Sequence, residues 1–411
     1  MADILFLAHR IPYPPNRGDK IRSWNMLKHL AGLARVHLVC FADDEEDAAH
    51  LAALKAELGA GLGETYVEIR RANKFAAAAQ AMRAERPISL VLFDSREMRA
   101  FVRALLARGE VGAIFAFSGQ MAQFVPQAAR QRFVMDFVDM DSAKFADYAA
   151  EGPEAMRWVH AREADKLFSF ERATAGRADV SLFVSGDEAA LFKSQAALPN
   201  ADIRVVQNGI DLGFYDPHAC FDRLGPTERG EGPLIVFTGQ MDYRPNVEAV
   251  TAFAEEVMPL VRAERPSARF AIVGRNPTSA VTRLGDLDGI VVTGGVADVR
   301  SWLAAADAVA APLRIARGIQ NKVLEAMAMA RPVVASAAAF RGIEAQPGRD
   351  LIVADSAHEQ ARAVLDLLDD PIHAEAVGAA ARRQMESVYR WEAQLAPLAA
   401  ILGLAERQAA A

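Results

Sequence analysis

The sequence predicts an α/β protein built as two Rossmann-like domains whose parallel sheets face one another. Three observations carry this. The chain has 411 residues, more than one ordinary hydrophobic core organises, so two domains of roughly 150–200 residues are expected. Short runs rich in Val, Ile and Phe alternate with longer Ala-, Leu- and charge-rich segments, as buried parallel strands alternate with helices. The alternation stops after Val206 and restarts at Leu234, across a glycine-, proline- and charge-rich segment from Cys220 to Pro233 that reads as an exposed connector.

In the first half, strands are expected near 3–8, 36–41, 65–69, 112–116, 132–138, 179–184 and 203–206, with helices clearest at 19–33, 45–58 and 95–108 and a short one at 187–192. In the second half, strands are expected near 234–238, 269–273, 290–293, 307–311, 332–335 and 351–353, with a helix from about Asn246 to Arg262. The division drawn from this is residues 1–207, an acceptor-side domain; 208–388, a nucleotide-sugar-binding domain; and 389–411, an amphipathic segment that crosses back to the first domain. Ligands of open parallel sheets bind at the carboxyl ends of strands, which selects four loops: His9 to Arg22, Asp136 to Lys144, Gly239 to Asn246 and Pro312 to Glu325.

Hydrophobic residues make up 52% and charged residues 24%, a globular balance that excludes a disordered chain. The net charge of -7 gives no basic face for nucleic acid. Only two cysteines, Cys40 and Cys220, are present, so neither a disulfide framework nor a thiolate metal site is expected and a reducing, cytoplasmic setting is the default. The first residues lack a secretory pattern and no apolar run is long enough to span a bilayer. Peripheral contact with the cytoplasmic face of a membrane stays open, because it needs only a surface patch.

The segment from Pro312 to Val334 reads as strand end, loop, helix, tight turn and strand. Gly318 lets the chain turn into the helix, and Ile319, Val323, Leu324 and Met327 share an apolar face. The free amides and positive dipole end of such a helix favour phosphate, and Lys322 adds a full charge. Arg314 and Arg317 stand nearby, and Glu325 could accept hydrogen bonds from ribose hydroxyls. By spacing alone Lys322 and Glu325 also fit an ordinary helical ion pair.

Leu324 to Ala328 (LEAMA), Pro332 to Val334 (PVV), Val205 to Asp211 with its Asn-Gly-Ile-Asp, and Phe237-Thr238-Gly239 together resemble the family 4 (group 1) glycosyltransferases of the GT-B fold. Pro14 to Lys20, Asp136 to Lys144 and Gly318 to Lys322 look like the subgroup associated with PEP-CTERM/exosortase exopolysaccharide systems. The resemblance covers nearly the whole chain. It implies two Rossmann-like domains about a central cleft, and a hexosyl-type transferase acting on a nucleotide diphosphate sugar and a saccharide or polyprenyl-linked acceptor. Retention of configuration, no metal and no cofactor beyond the donor co-substrate are implied with it. Gly239, Arg244, Arg314, Arg317, Gly318, Ile319, Gln320, Asn321, Lys322 and Glu325 would bind the donor, Lys322 steadying the leaving diphosphate and Glu325 the ribose. The sequence departs from the family twice. The acidic residue expected eight positions before Glu325 is Arg317, and the Arg–Lys phosphate clamp expected after Gly239 is replaced by Met241 to Asn246. Arg244 either restores one charge there or is a solvated loop arginine.

The Pro-rich loop from His9 to Arg22 enters a helix through Gly18. In the resemblance it closes over the diphosphate, with Gly18 and Arg22 matching that role; Arg17 and Lys20 are expected at the surface and Trp24 and Leu27 on the buried face. His9, at a strand end, is a catalytic candidate as general base or else a structural hydrogen-bonding residue. Asp139 and Asp141 look like a metal-binding acidic pair, but in a GT-B chain acceptor or sugar contact is favoured over metal. Ser142 fits a helix cap, and Ser118 an acceptor contact or a helix start. Two rivals stand beside the transferase: a nucleotide-sugar 2-epimerase, and a non-catalytic sugar- or nucleotide-binding component of a polysaccharide complex.

Overall fold

The computed structural model describes residues 2–71, 74–316 and 318–404, apart from the side chains of Lys74 and Glu151. It divides into two compact units. One holds the chain up to Gln207 together with the chain from Leu395 onward; the other is Asn208–Gln394.

The first unit carries seven parallel strands: β1 (Asp3–Ala8), β2 (Val36–Ala42), β3 (Leu62–Ile69), β4 (Val111–Phe117), β5 (Arg132–Val138), β6 (Val180–Phe183) and β7 (Ile203–Val205). Their order is β3-β2-β1-β4-β5-β6-β7. β1 and β2 are buried along almost their whole length, which is why both are continuous apolar runs rather than alternating ones. The one histidine in β2 is accommodated by pairing: His37 Nδ1 accepts from the Glu64 N–H at 3.0 Å and Nε2 lies 2.9 Å from Asp3. Cys40 is buried and Cys220 exposed, both as free thiols; burial pushes the Cys40 thiol up.

The second unit carries β8 (Leu234–Thr238), β9 (Arg269–Val273), β10 (Ile290–Gly294), β11 (Ala308–Ala311), β12 (Val333–Ala335) and β13 (Ile352–Val353). They form one parallel sheet in the order β10-β9-β8-β11-β12-β13. In each sheet the strand order reverses beside its first strand, between β1 and β4 and between β8 and β11. A topological switch point opens there, outside the carboxyl ends of the strands.

Several element boundaries differ from expectation for local reasons. The 45–58 helix is broken at His50 into Glu45–Ala49 and Leu51–Leu58. The segment expected to be helical over 246–262 runs from Arg244 to Glu264, with one π turn at Phe253–Val257; Pro259, which cannot donate back to the preceding turn, stands two residues beyond it. Gly186–Ala196 is longer than the short helix expected there; the Ser185 hydroxyl accepts from the Glu188 N–H and starts it one residue early, and the rest of the gain is at its C-terminal end. The pair Asp141–Glu151 and Glu154–Arg177 forms a helical hairpin in the first unit that the strand pattern did not announce. Among the described residues no helix is long and apolar enough to cross a membrane.

Candidate active site

In the second unit the loops after β8 and β11 meet at the switch point. Gly239 follows β8 and its N–H donates to Val273 O at 3.0 Å. Gly274, after β9, has φ +159° and sits so close that a Cβ there would come within 1.6 Å of Gly239 O. Only glycine permits that backbone contact. The loop from Pro312 turns at Gly318, φ +62°, and the helix is Asn321–Ala328, beginning three residues later than expected. Gln320 precedes it without capping it; its amide instead donates to Gly318 O at 3.2 Å. Val323, Leu324 and Met327 are fully buried, and Ile319 is a core residue as well, so the apolar face anchors the helix and Ile319 offers a ligand only its backbone.

Lys322 is the centre of this site. Its Nζ donates to Asn246 Oδ1 at 2.5 Å and stands 4.3 Å from the centroid of the Phe237 ring. Burial pulls its pKa down to about 7, against the attraction of Glu325. Glu325 is pushed up by burial, while a hydrogen bond from the Tyr215 hydroxyl and the charge of Lys322 oppose the shift. The amide of Asn321 is approached by Asn208 Nδ2 at 3.5 Å, which ties the Asn-Gly segment to the helix start.

The other expected donor residues stand differently. Arg314 is largely exposed and donates to both oxygens of Glu256, at 2.8 and 3.0 Å. Arg244 is equally exposed and pairs with Glu248 one turn on, at 2.7 Å. Arg317 lies outside the described residues. Asn246, Phe237 and Tyr215 were not selected from the sequence as site residues. The signal for Asn246 was the missing clamp cation in its own loop; for Phe237 and Tyr215 there was none, since an aromatic in a strand or connector reads as packing.

In the first unit, β1 ends at Ala8 and His9 follows it. The His9 ring stacks on Phe117 with centroids 5.8 Å apart, and its Nε2 lies 3.3 Å from Asp19 and 3.2 Å from Arg10. Its Nδ1 is buried without a hydrogen bond. Arg10 also bonds Asp19 and Asp43, each at 2.9 Å. Burial alone would raise Asp19, but His9, Arg17 and Arg10 hold it well below the usual carboxylate range. Gly18 opens the helix Gly18–Leu33.

One expectation for this helix needs correction: Lys20 is buried and paired with Asp47 rather than a surface charge. Arg22 is 1% exposed, and its Nε and Nη2 donate to the two oxygens of fully buried Asp136 at 3.0 and 3.2 Å. Its charge is therefore engaged inside the first unit, because a buried guanidinium needs a buried carboxylate.

Beyond β4 and β5 the backbone is strained. Ser118 has φ +73° and Val138 φ +70°, conformations that non-glycine residues adopt at a cost of order 1–3 kcal/mol and that cluster at functional sites. Ser118 donates to Gln120, whose Nε2 donates to Asp141 at 3.1 Å, so Ser118 and Asp141 share one network. Asp139 is pushed up to about 6, first by burial and then by Glu188 and Asp141; its Oδ1 has no hydrogen-bond partner. Ser142 is not the helix cap. Its hydroxyl donates to Glu171 at 2.5 Å, and Glu188 accepts from the Met140 N–H at 2.7 Å, so distant glutamates serve the turn that a local cap was expected to serve.

Solved structures share this architecture over essentially the whole chain. The sucrose-phosphate synthase of Thermosynechococcus elongatus superposes with TM-score 0.69 at 17% identity, covering 100% of both chains. Anabaena HepE in complex with UDP and glucose gives 0.65 at 16%, covering 98% of this chain and 99% of that one. The fold is GT-B. Within the GT-B chain, residues 232–370 match the family model of the glycosyl transferases group 1, a span that contains Gly239, Asn246, Lys322 and Glu325. A GDP-mannose-dependent alpha-(1-6)-phosphatidylinositol monomannoside mannosyltransferase of Mycobacterium tuberculosis is 30% identical over 241 residues, 54% of this chain and 61% of the relative. A GDP-mannose-dependent monoacylated alpha-(1-6)-phosphatidylinositol monomannoside mannosyltransferase of Corynebacterium glutamicum is 28% identical over 232 residues, 52% of this chain and 59% of the relative. The chain thus spans about three fifths of the length of these relatives.

Proposed function

We propose that this protein is a glycosyltransferase that moves a hexose-type unit from a nucleotide diphosphate sugar to a lipid-linked saccharide. One observation carries the reading. Lys322 presents an ammonium at the carboxyl end of β8, bonded to the neutral amide of Asn246 and set over the Phe237 ring, with Glu325 of its own helix as the charge that acts on it, so the site offers a cation to a diphosphate. A leaving diphosphate develops negative charge as the glycosidic bond breaks, and a preorganised cation stabilises that change without reorganisation. Gly318, Gln320 and Asn321 line the approach to the same helix start and would offer backbone and amide donors. Glu325, tied to Tyr215, takes the ribose. In the first unit the Ser118–Gln120–Asp141 network and the neighbouring Asp139 bind the acceptor, with His9 beside them.

The activities of the relatives favour a donor of the GDP-mannose kind and a lipid-borne acceptor, while HepE was solved with UDP and glucose. Transfer with retention, independence of metal and a place in exopolysaccharide assembly at the cytoplasmic face of the membrane rest on the motif resemblance alone. The test is incubation of the purified chain with GDP-mannose or UDP-glucose and polyprenyl-linked saccharides. Glycosylated lipid with one nucleoside diphosphate released per transfer is the expected result. An epimerised sugar nucleotide without released diphosphate, or tight binding without turnover across the acceptor panel, would sink the proposal. Lys322→Ala should weaken nucleoside diphosphate binding by about tenfold or more, the scale of one charge-assisted contact.

A further inference from the structure

The clamp cation that the group 1 pattern leads one to expect in the loop after β8 is absent from that loop, yet the structure brings a cation to the same place from another element. We propose that Asn246 is a positioning residue that fixes the Lys322 ammonium at the carboxyl end of β8, so that the lysine of the Asn321–Ala328 helix fills the gap left by the missing clamp. This deepens the transferase reading and rests on it for the ligand.

Asn246 is 5% exposed, and a buried amide must satisfy both of its ends. Its Nδ2 donates to Gln240 O at 2.9 Å. That bond fixes which way the amide faces, leaving Oδ1 to accept from Lys322 at 2.5 Å. Gly239 completes the fixture by being small: a Cβ there would come within 2.7 Å of Asn246 Nδ2 and 3.3 Å of Lys322 Nζ. The glycine, the amide and the ammonium are therefore one packed unit. Phe237 supplies the opposite wall through its ring face, which attracts the cation without neutralising it.

The chemistry of the holder matters as much as its position. An amide oxygen is a dipole, so it orients the ammonium and leaves the net charge for an anionic oxygen; a carboxylate at the same place would pair with it. Charge reaches Lys322 from Glu325 on its own helix, whereas β8 and the Arg244–Ala252 helix present Phe237 and Asn246, both neutral. Burial meanwhile lowers the affinity of Lys322 for its proton. A bound diphosphate would restore it, and binding at neutral pH would take up a proton.

The experiment uses the full chain and two substitutions, Asn246→Ala and the isosteric Asn246→Asp, with circular dichroism as the control for folding. The first readout needs no ligand: competitive acetylation of Lys322 by acetic anhydride, followed by mass spectrometry from pH 5 to 10. The expected wild-type midpoint lies near 7. N246D should shift the midpoint upward by about one unit or more, the scale of a neighbouring carboxylate, and N246A should label several-fold faster as the amine loses its tether. The second readout is calorimetric affinity for GDP and UDP, expected to fall about tenfold in both variants. Identical labelling profiles in all three proteins would overturn the proposal, including the case in which nucleotide affinity alone changes, since Asn246 would then act on the ligand directly. Shifted labelling in a chain that binds neither nucleotide would uphold the positioning role and remove the donor role. If N246A does not fold, the labelling midpoint of N246D decides.

Discussion

Glu171 is held towards its protonated form. Burial at 2% exposure is the main cause, reinforced by Asp141 and opposed by the bonds from Ser142, and the group is pushed up to about 8. Folding raises its value above that of an exposed glutamate, so the folded chain holds the proton more tightly. The resulting stabilisation is complete below the unfolded value, near 4.5, and is lost as the pH rises towards 8. The melting temperature should therefore fall between pH 5 and 8.5, and Glu171→Gln, permanently neutral, should flatten that fall. Equal slopes in the two proteins would show that Glu171 titrates normally. Asp139, raised to about 6 by burial, Glu188 and Asp141, adds to the same trend over a lower window. Two carboxyls that keep their protons unusually late thus meet at the turn after β5, Asp139 from the turn itself and Glu171 from the Glu154–Arg177 helix, where the sequence showed only a pair of aspartates two apart.

The Gly18–Leu33 helix and β5 are joined by the Arg22–Asp136 pair, and this contact shows how an element is placed by charge as well as by apolar area. Asp136 Oδ1 also accepts from the Val138 N–H at 3.1 Å, and the Asp136 carbonyl accepts from Ser118 N–H at 2.8 Å. One residue therefore fixes the helix, the strained turn after β5 and the strained residue after β4. Burial pushes the Asp136 carboxyl up, while Arg22 and the Val138 N–H pull it back. Removing one partner leaves the other buried without compensation. Arg22→Met or Asp136→Leu should cost about 3–5 kcal/mol each, and the double change Arg22→Met with Asp136→Leu less than their sum. Urea unfolding measures this, and strict additivity would show that the two side chains are not coupled. The Asn321–Ala328 helix is placed by the other means, with Val323, Leu324 and Met327 fully buried in the core of the second unit.

At the scale of the whole molecule, the chain after Leu395 belongs to the first unit although it follows the second in sequence. Leu398, Ile401 and Leu402 are buried there, and the Arg132 guanidinium bonds the Ile401 carbonyl. Ending the chain at Gln394 would expose this apolar surface. Hydrogen exchange should then show β5 and the Gly18–Leu33 helix losing protection while β8 and β11 keep theirs; equal loss in both units would contradict the division. The two sheets, and the loops that could bear a site, were legible in the sequence because buried parallel strands need unbroken apolar runs and because their switch points follow from strand order. That Lys322 and Glu325 share one helix and that Gly239 follows β8 was legible too, through helix start, spacing and the absence of a side chain. What the sequence could not determine was which charges are spent. Arg22, Lys20, Arg314 and Arg244 look alike in one dimension, and each is engaged by a carboxylate, at a separation of 114 residues for Arg22 and 4 for Arg244. Only tertiary structure brings Asn246 to Lys322 and Glu171 to Ser142, because desolvation and hydrogen bonding act between neighbours in space, and it is these contacts that decide where a proton or a positive charge remains available.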